Sequence, residues 1–200
     1  GAGDGRKFSN TRLLIDDGWN GVLIEPHPTL VTGCYDLADQ AVGIAVYEVA
    51  CVPRPVTEGD VDLWLAAYPE MSTLDASQEP AIAAFHASQG VAHWLRKHPV
   101  PALTLTEILE DAGIKSVDLL NVDTEWRNAD TLRGLDWARW QPTLVIAEAN
   151  PIEWQDVKAV MAAAGYNFYH EHHNYFFTRA PEHAAALETA IAELKGNGQL

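Results

Sequence analysis

The sequence opens on Gly1-Ala2-Gly3-Asp4-Gly5, and an apolar run ending in Glu25-Pro26 follows about twenty residues later. Glycine has no Cβ, so a glycine-rich turn lets the backbone pass close to a ligand. An acid at the end of the following strand can hold two ribose hydroxyls. Between them, Phe8 to Asp17 reads as a helix ending at Gly18, and Gly21 to Glu25 reads as a buried strand. The order glycine loop, helix, strand, acid is that of one half of a nucleotide-binding α/β fold. A chance glycine-rich segment is the bland alternative, and the placement of Glu25 counts against it. In such folds the glycine loop follows a first strand. This sequence starts at the first glycine, so the expectation is a fragment whose sheet lacks its central strand.

Apolar runs alternate with helical patterns over most of the remaining sequence. Val42 to Val52 reads as a strand, and Val61 to Leu65 as a half-exposed one. Thr104-Leu105-Thr106-Glu107 is a capping-box pattern for a short helix closing at Gly113. Val117 to Val122 and Leu144 to Ala147 read as strands. A helix is predicted between Pro151 and Gly165. Phe168 to His172 and Tyr175 to Thr178 suggest a hairpin around His173-Asn174. Pro181 to Lys195 reads as an Ala- and Glu-rich helix, with a frayed end after it. Ser77 to His98 reads as one or two inserted helices carrying His86, His93, Arg96, Lys97 and His98. Strands alternating with helices imply a parallel sheet, and the terminal hairpin adds an antiparallel edge.

At 200 residues the chain suits a single α/β domain over 1–200, with a helical insertion at about 77–98 and a C-terminal helix at about 181–195. Apolar residues make up 48%, enough for a sizeable core. The net charge of -15 argues against nonspecific binding to nucleic acid or to an anionic membrane. Cys34 and Cys51 are too few for a disulfide framework and lack metal-ligand spacing, which fits a reducing cytoplasm. No apolar run is long enough to span a membrane, and no signal peptide is visible.

With these pieces in order, the sequence resembles the FkbM-type methyltransferases, a branch of the S-adenosylmethionine-dependent Rossmann-like enzymes. The resemblance is carried by GAGDG at the start, Ser9-Asn10-Thr11, GWNGVLIEPHP from Gly18 to Pro28, and EMST from Glu70 to Thr73. It continues through LTLTEIL from Leu103, VDLLNVDTEW from Val117, TLRGLDW from Thr131 and VIAEAN from Val145. It ends with Gly165-Tyr166 and NYFF from Asn174. It covers residues 1 to about 178. One departure is Trp126, which stands where the family's Asp-Val-Glu-Gly pattern has glycine. The implied fold is a Rossmann-like class I methyltransferase: a mostly parallel sheet, a C-terminal antiparallel hairpin and a missing first strand.

The resemblance also assigns roles. Gly1, Gly3 and Gly5 would wrap the methionine part of S-adenosylmethionine, with Asp4 beside them as a contact or a turn cap. Glu25 would take the ribose hydroxyls. Ser72 would meet the adenine or ribose, or serve as a plain turn serine. Asp123 and Glu125 follow the strand where cofactor and acceptor meet. There an acid can orient the methyl donor, accept a proton or bind a cation. Asp123 with Glu148 and Asn150 would give three hard oxygen ligands suited to Mg²⁺. His170 or His172 is a candidate substrate-facing base, and the His170 to His173 cluster lacks zinc spacing. Arg96-Lys97-His98 reads as a solvated helix end, or as a lid contact to an anionic acceptor.

The implied activity is O-methylation of a hydroxyl on a sugar, glycan or small natural product. Neither nucleic acid nor membrane is an expected partner, and a homo-oligomer is compatible with the sequence. A non-catalytic S-adenosylmethionine-binding or scaffold protein of the same fold is the alternative. A nicotinamide-dependent enzyme is disfavoured by GxGxG in place of GxGxxG.

Overall fold

The computed structural model describes residues 1–57, 59–148, 151–171 and 174–196. Ten strands and seven α-helices lie among them, in the order α1 (Arg12–Asp16), β1 (Gly21–Ile24), α2 (Val31–Ala38), β2 (Ile44–Tyr47), β3 (Ala50–Cys51) and β4 (Val61–Ala66). Next come α3 (Glu79–Ser88), β5 (Leu95–Val100), β6 (Ala102–Leu103), α4 (Leu105–Asp111), β7 (Leu119–Val122) and α5 (Asn128–Arg133). The chain closes with β8 (Leu144–Glu148), α6 (Trp154–Ala163), β9 (Asn167–Glu171), β10 (Asn174–Thr178) and α7 (Pro181–Gly196).

The protein is mixed α/β, but its strands form four small sheets instead of one mostly parallel sheet. β1 pairs with β2 in parallel, and β3 with β6 in parallel. β4 and β5 are antiparallel. The largest sheet runs β7-β8-β10-β9, with β7 and β8 parallel and the β9–β10 hairpin antiparallel at its edge, as expected. The β1–β2 pair and this sheet face one another across a groove of about 230 Å³ lined by every residue of β1 and of β7. Among the described residues β1 pairs only with β2, and β7 only with β8. Gly1 and Ala2 bridge the carboxyl ends of β7 and β1, Gly1 lying against the Asp123 carbonyl. The Ala2 N–H donates to Ile24 O at 3.0 Å.

Three local expectations are corrected. The helix predicted over Phe8 to Asp17 is confined to α1, because Phe8 sits at φ 59 and breaks the helical path. The strand predicted over Val42 to Val52 splits into β2 and β3. The Ser77 to His98 insertion holds one α-helix, and Arg96, Lys97 and His98 lie on β5, not at a helix end. Lys97 pairs with Asp62 across the hairpin at 2.6 Å. The capping box forms as predicted: Thr104 Oγ1 accepts from Glu107 N, and Glu107 Oε2 accepts from Thr104 N.

Two apolar clusters hold the ends that matter. One packs Val122, Leu132, Val145, Val157, Met161 and Phe177 between the main sheet and α5 and α6. The other packs Ile15, Leu23, Val31, Cys34 and Leu37 under α2. Burial of each such side chain stabilises the fold by about 1.5–3 kcal/mol. The first cluster fixes the end of β7 and the second fixes the end of β1. The candidate site lies between those two ends.

Candidate active site

Gly1 approaches the end of β7 so closely that a Cβ there would lie far inside van der Waals contact of the Asp123 carbonyl. Any side chain would push the loop off the strand, so glycine is required by packing. Gly3 adopts φ +58, and the space where its Cβ would sit is open. That turn aims the Gly3 N–H at Glu25. Glu25 directly follows β1 and is only 4% exposed. Its Oε2 accepts from Gly3 N at 2.7 Å and its Oε1 from His27 N at 2.9 Å. Burial raises its pKa. Glycine loop and acid are thus joined directly.

A pocket of about 200 Å³ opens over this junction. Gly1, Gly3, Glu25, Ser72, Asp123 and Glu125 all line it, so six of the residues named from the sequence are brought together. Asp4 and Gly5 are not among its lining residues. The Asp4 carboxylate caps the backbone N–H groups of Arg6 and Lys7 at 2.8 and 2.7 Å. Gly5 is buried against Leu37, Leu23 and Cys34. Ser72 Oγ accepts from Ala66 N at 3.0 Å, which ties the turn to β4 and leaves its own proton available. Asn150 and His172 lie outside the described residues. His170 falls on β9 opposite Tyr175, and its side chain lies outside the description.

Asp123, Glu125 and Glu148 converge at the carboxyl ends of β7 and β8. One carboxylate oxygen from each lies within 4.8 Å of the others. Three acids so close in a partly buried site cannot all ionise cheaply. Burial, then the charges of Glu148 and Asp123, push Glu125 up to about 9. Burial and the neighbouring Asp123 charge raise Glu148, and burial raises Asp123. Asp123 and Glu148 lie close enough that the ionisation of one opposes that of the other.

The loop that presents these acids is strained. Glu125 and Trp126 take φ 43 and 66 in succession, in the left-handed region that costs an L-residue about 1–2 kcal/mol. Trp126 therefore stands in a conformation that glycine adopts without cost, and it is not among the residues lining the pocket. Neighbours hold the strain in place. Thr73 Oγ1 donates to Glu125 O at 2.8 Å. Asn128, fully buried, accepts from Thr124 N at 2.9 Å and from Thr124 Oγ1 at 3.1 Å. Glu153 Oε2 accepts from Asn128 N at 3.2 Å at the start of α5. Sequence reasoning missed Thr73, Asn128 and Glu153. Only the string Thr124-Glu125-Trp126-Arg127-Asn128, a polar run between strand and helix, hinted at a built turn.

Glu148 Oε2, Asn128 Nδ2 and Arg127 Nε are buried with no hydrogen-bond partner among the described residues. Lys7 reaches across the pocket mouth to Glu70 at 3.2 Å. The donor-lined acid Glu25 at one strand end and the acid group at the other leave room for a ligand that bridges them.

No curated protein and no solved structure matches this chain. The family model described as the methyltransferase FkbM domain matches residues 1–180 of the 200. That span contains both strand ends, the glycine loop and every acid of the pocket, and the chain belongs to the FkbM methyltransferase family.

Proposed function

We propose that this methyltransferase uses S-adenosylmethionine to methylate a hydroxyl on a sugar, glycan or small natural product. The observation that carries the cofactor is Glu25. It is a buried carboxylate held by backbone N–H groups from the glycine loop and from its own loop, at a strand end facing a pocket. Each of its oxygens keeps a lone pair for a ribose hydroxyl, and the open space over Gly3 leaves room for the methionine part. When bound, S-adenosylmethionine supplies a methyl group already activated on a sulfonium.

The residues of this chain then have two tasks, alignment and proton removal. Glu25 and the glycine loop hold the donor. Asp123 lines the pocket beside Glu148, and the two carboxyls together can take the acceptor hydroxyl's proton. Glu125, largely protonated at neutral pH, donates a hydrogen bond instead of accepting a proton. A divalent cation is the other way to neutralise the three carboxylates, and their oxygens are the hard donors Mg²⁺ takes. Glu125 would then replace Asn150 in the ligand set read from the sequence.

Calorimetric titration of S-adenosylhomocysteine, with and without Mg²⁺, tests this reading. Micromolar binding supports the cofactor assignment, and a Mg²⁺ dependence supports the cation. A folded protein that takes up no S-adenosylhomocysteine under either condition refutes it. Binding without turnover on any hydroxyl acceptor would favour the non-catalytic alternative.

A further inference from the structure

His27 has no part in the chemistry above, yet its imidazole is fixed in a way that packing alone does not require. The residue is 6% exposed and lines the pocket. Its Nδ1 accepts from Thr29 N at 3.1 Å and from Leu30 N at 3.4 Å, and its carbonyl accepts from Val31 N at the start of α2. Two N–H groups aimed at Nδ1 leave no place there for a proton, so the ring proton is on Nε2. Burial lowers the imidazole pKa, which keeps the ring neutral. Glu70 and His98 are the charged or titratable groups that act on it, and Glu70 is already paired with Lys7. Nε2–H has no hydrogen-bond partner among the described residues. Helix capping explains one nitrogen of this ring and leaves the other as a donor at the pocket wall.

The backbone N–H of the same residue holds Glu25 Oε1. A ligand whose hydroxyls rest on Glu25 therefore brings its adjoining atoms to His27. We propose that His27 is a further ligand-binding residue of this pocket. Its Nε2–H donates one hydrogen bond to a lone pair on the nucleoside held by Glu25, and with the tautomer locked it can only donate. This rests on the cofactor reading above. The purine ring nitrogen beside the ribose and a ribose oxygen offer the same acceptor chemistry, and the test separates them.

Two substitutions divide the two nitrogens. His27→Asn puts an oxygen near the Nδ1 position, where it can still cap Thr29 and Leu30, and removes the distal donor. His27→Gln puts an amide N–H₂ near the Nε2 position and gives up the cap. S-adenosylhomocysteine is titrated calorimetrically into wild type and both variants, and thermal melts are recorded without ligand. The expected result is a Kd about 5- to 10-fold weaker in His27→Asn with an unchanged Tm, the loss of one neutral hydrogen bond. His27→Gln should keep the affinity within about twofold while its Tm falls by roughly 2–4 °C. Imidazole ¹⁵N NMR should show the Nε2–H tautomer in the free protein, with that proton shifting on ligand addition. S-(3-deazaadenosyl)homocysteine, which lacks the ring nitrogen beside the ribose, separates the two acceptors. An equal loss on wild type and no further loss on His27→Asn assigns that nitrogen, whereas unchanged binding to wild type assigns a ribose oxygen. An Nδ1–H tautomer, or affinities that follow Tm across the two variants, would overturn the proposal while wild-type binding stands. Absence of wild-type binding overturns it together with the cofactor reading.

Discussion

Replacing Glu125 with glutamine should stabilise the protein, and by more as the pH rises. The carboxyl of Glu125 is pushed from 4.5 to about 9, first by burial and then by Glu148 and Asp123. An acid whose folded pKa is raised binds its proton more tightly in the native state than in the unfolded chain. Stability then falls as pH rises from the unfolded value to the folded one, by about 1.4 kcal/mol per unit for one proton. At about pH 7.5, three units above the unfolded value, the upper limit is about 4 kcal/mol. Neighbouring groups and water relax around a partly buried charge, so about 2 kcal/mol is the expected effect. Glutamine keeps the shape and the neutral charge, so it avoids that loss at every pH. The assay is urea unfolding of wild type and Glu125→Gln in chelator at about pH 5 and about pH 8. The two should agree within about 0.5 kcal/mol at the lower pH, with the variant ahead by about 2 kcal/mol at the higher one. Asp123 and Glu148 titrate in both proteins and cancel in the difference. Parallel stability curves would refute the claim that Glu125 stays protonated near neutral pH.

Asp123→Asn should abolish methyl transfer without lowering the unfolding midpoint, because the substitution removes a proton acceptor and a buried charge and keeps the shape; turnover at the wild-type rate would reject the assignment. Phe8 stands at φ 59 and is 75% exposed, so Phe8→Gly gives up little packing and relieves left-handed strain. A gain of about 1 kcal/mol, or roughly 2–4 °C in Tm, is expected by calorimetry. Gly33→Ala would place a Cβ 2.6 Å from the Asp4 carbonyl, forcing α2 away from the glycine loop. A loss of about 1–3 kcal/mol in chemical denaturation should follow, together with weaker S-adenosylhomocysteine binding.

The Glu25 junction was legible in the sequence because its parts are local: a glycine turn, a short apolar strand and an acid at the strand's end. The Thr104 cap was legible for the same reason. Sheet order was not, because pairing is decided by distant segments. Leu95 to Val100 carries Arg96, Lys97, His98 and Pro99 and has no clean alternation, and only its register against Val61–Ala66 makes it a strand. Phe8 broke the predicted helix through a backbone angle that its residue type disfavours. At the site, Asp123 and Glu125 could be named because the family resemblance puts the meeting point of cofactor and acceptor after that apolar strand. The residues that hold them could not. Thr73 lies about fifty positions away and acts through one hydrogen bond to a carbonyl, and Asn128 through two bonds to Thr124. His27 has a role only because two N–H groups occupy its other nitrogen, a fact of loop geometry with no signature in residue spacing.

The raised acids also bear on which form of the cofactor the pocket prefers. S-adenosylmethionine carries a sulfonium charge, and S-adenosylhomocysteine is the same molecule without it. A pocket whose acids are protonated offers the cation no electrostatic advantage over the neutral thioether. As the pH rises through the range in which Glu148 and then Glu125 ionise, about 7 to about 9, negative charge develops beside the pocket. The ratio of the two affinities should therefore move severalfold toward S-adenosylmethionine between about pH 6 and about pH 9, with the neutral ligand as internal control for the rest of the site. In Glu125→Gln the upper part of that shift should vanish and the part near neutral pH should remain, because Glu148 is still present. A ratio that stays flat across the whole range would mean that the carboxylate cluster does not face the sulfonium. The acids would then serve the acceptor or a cation alone, and the Glu25 junction would carry cofactor recognition by itself.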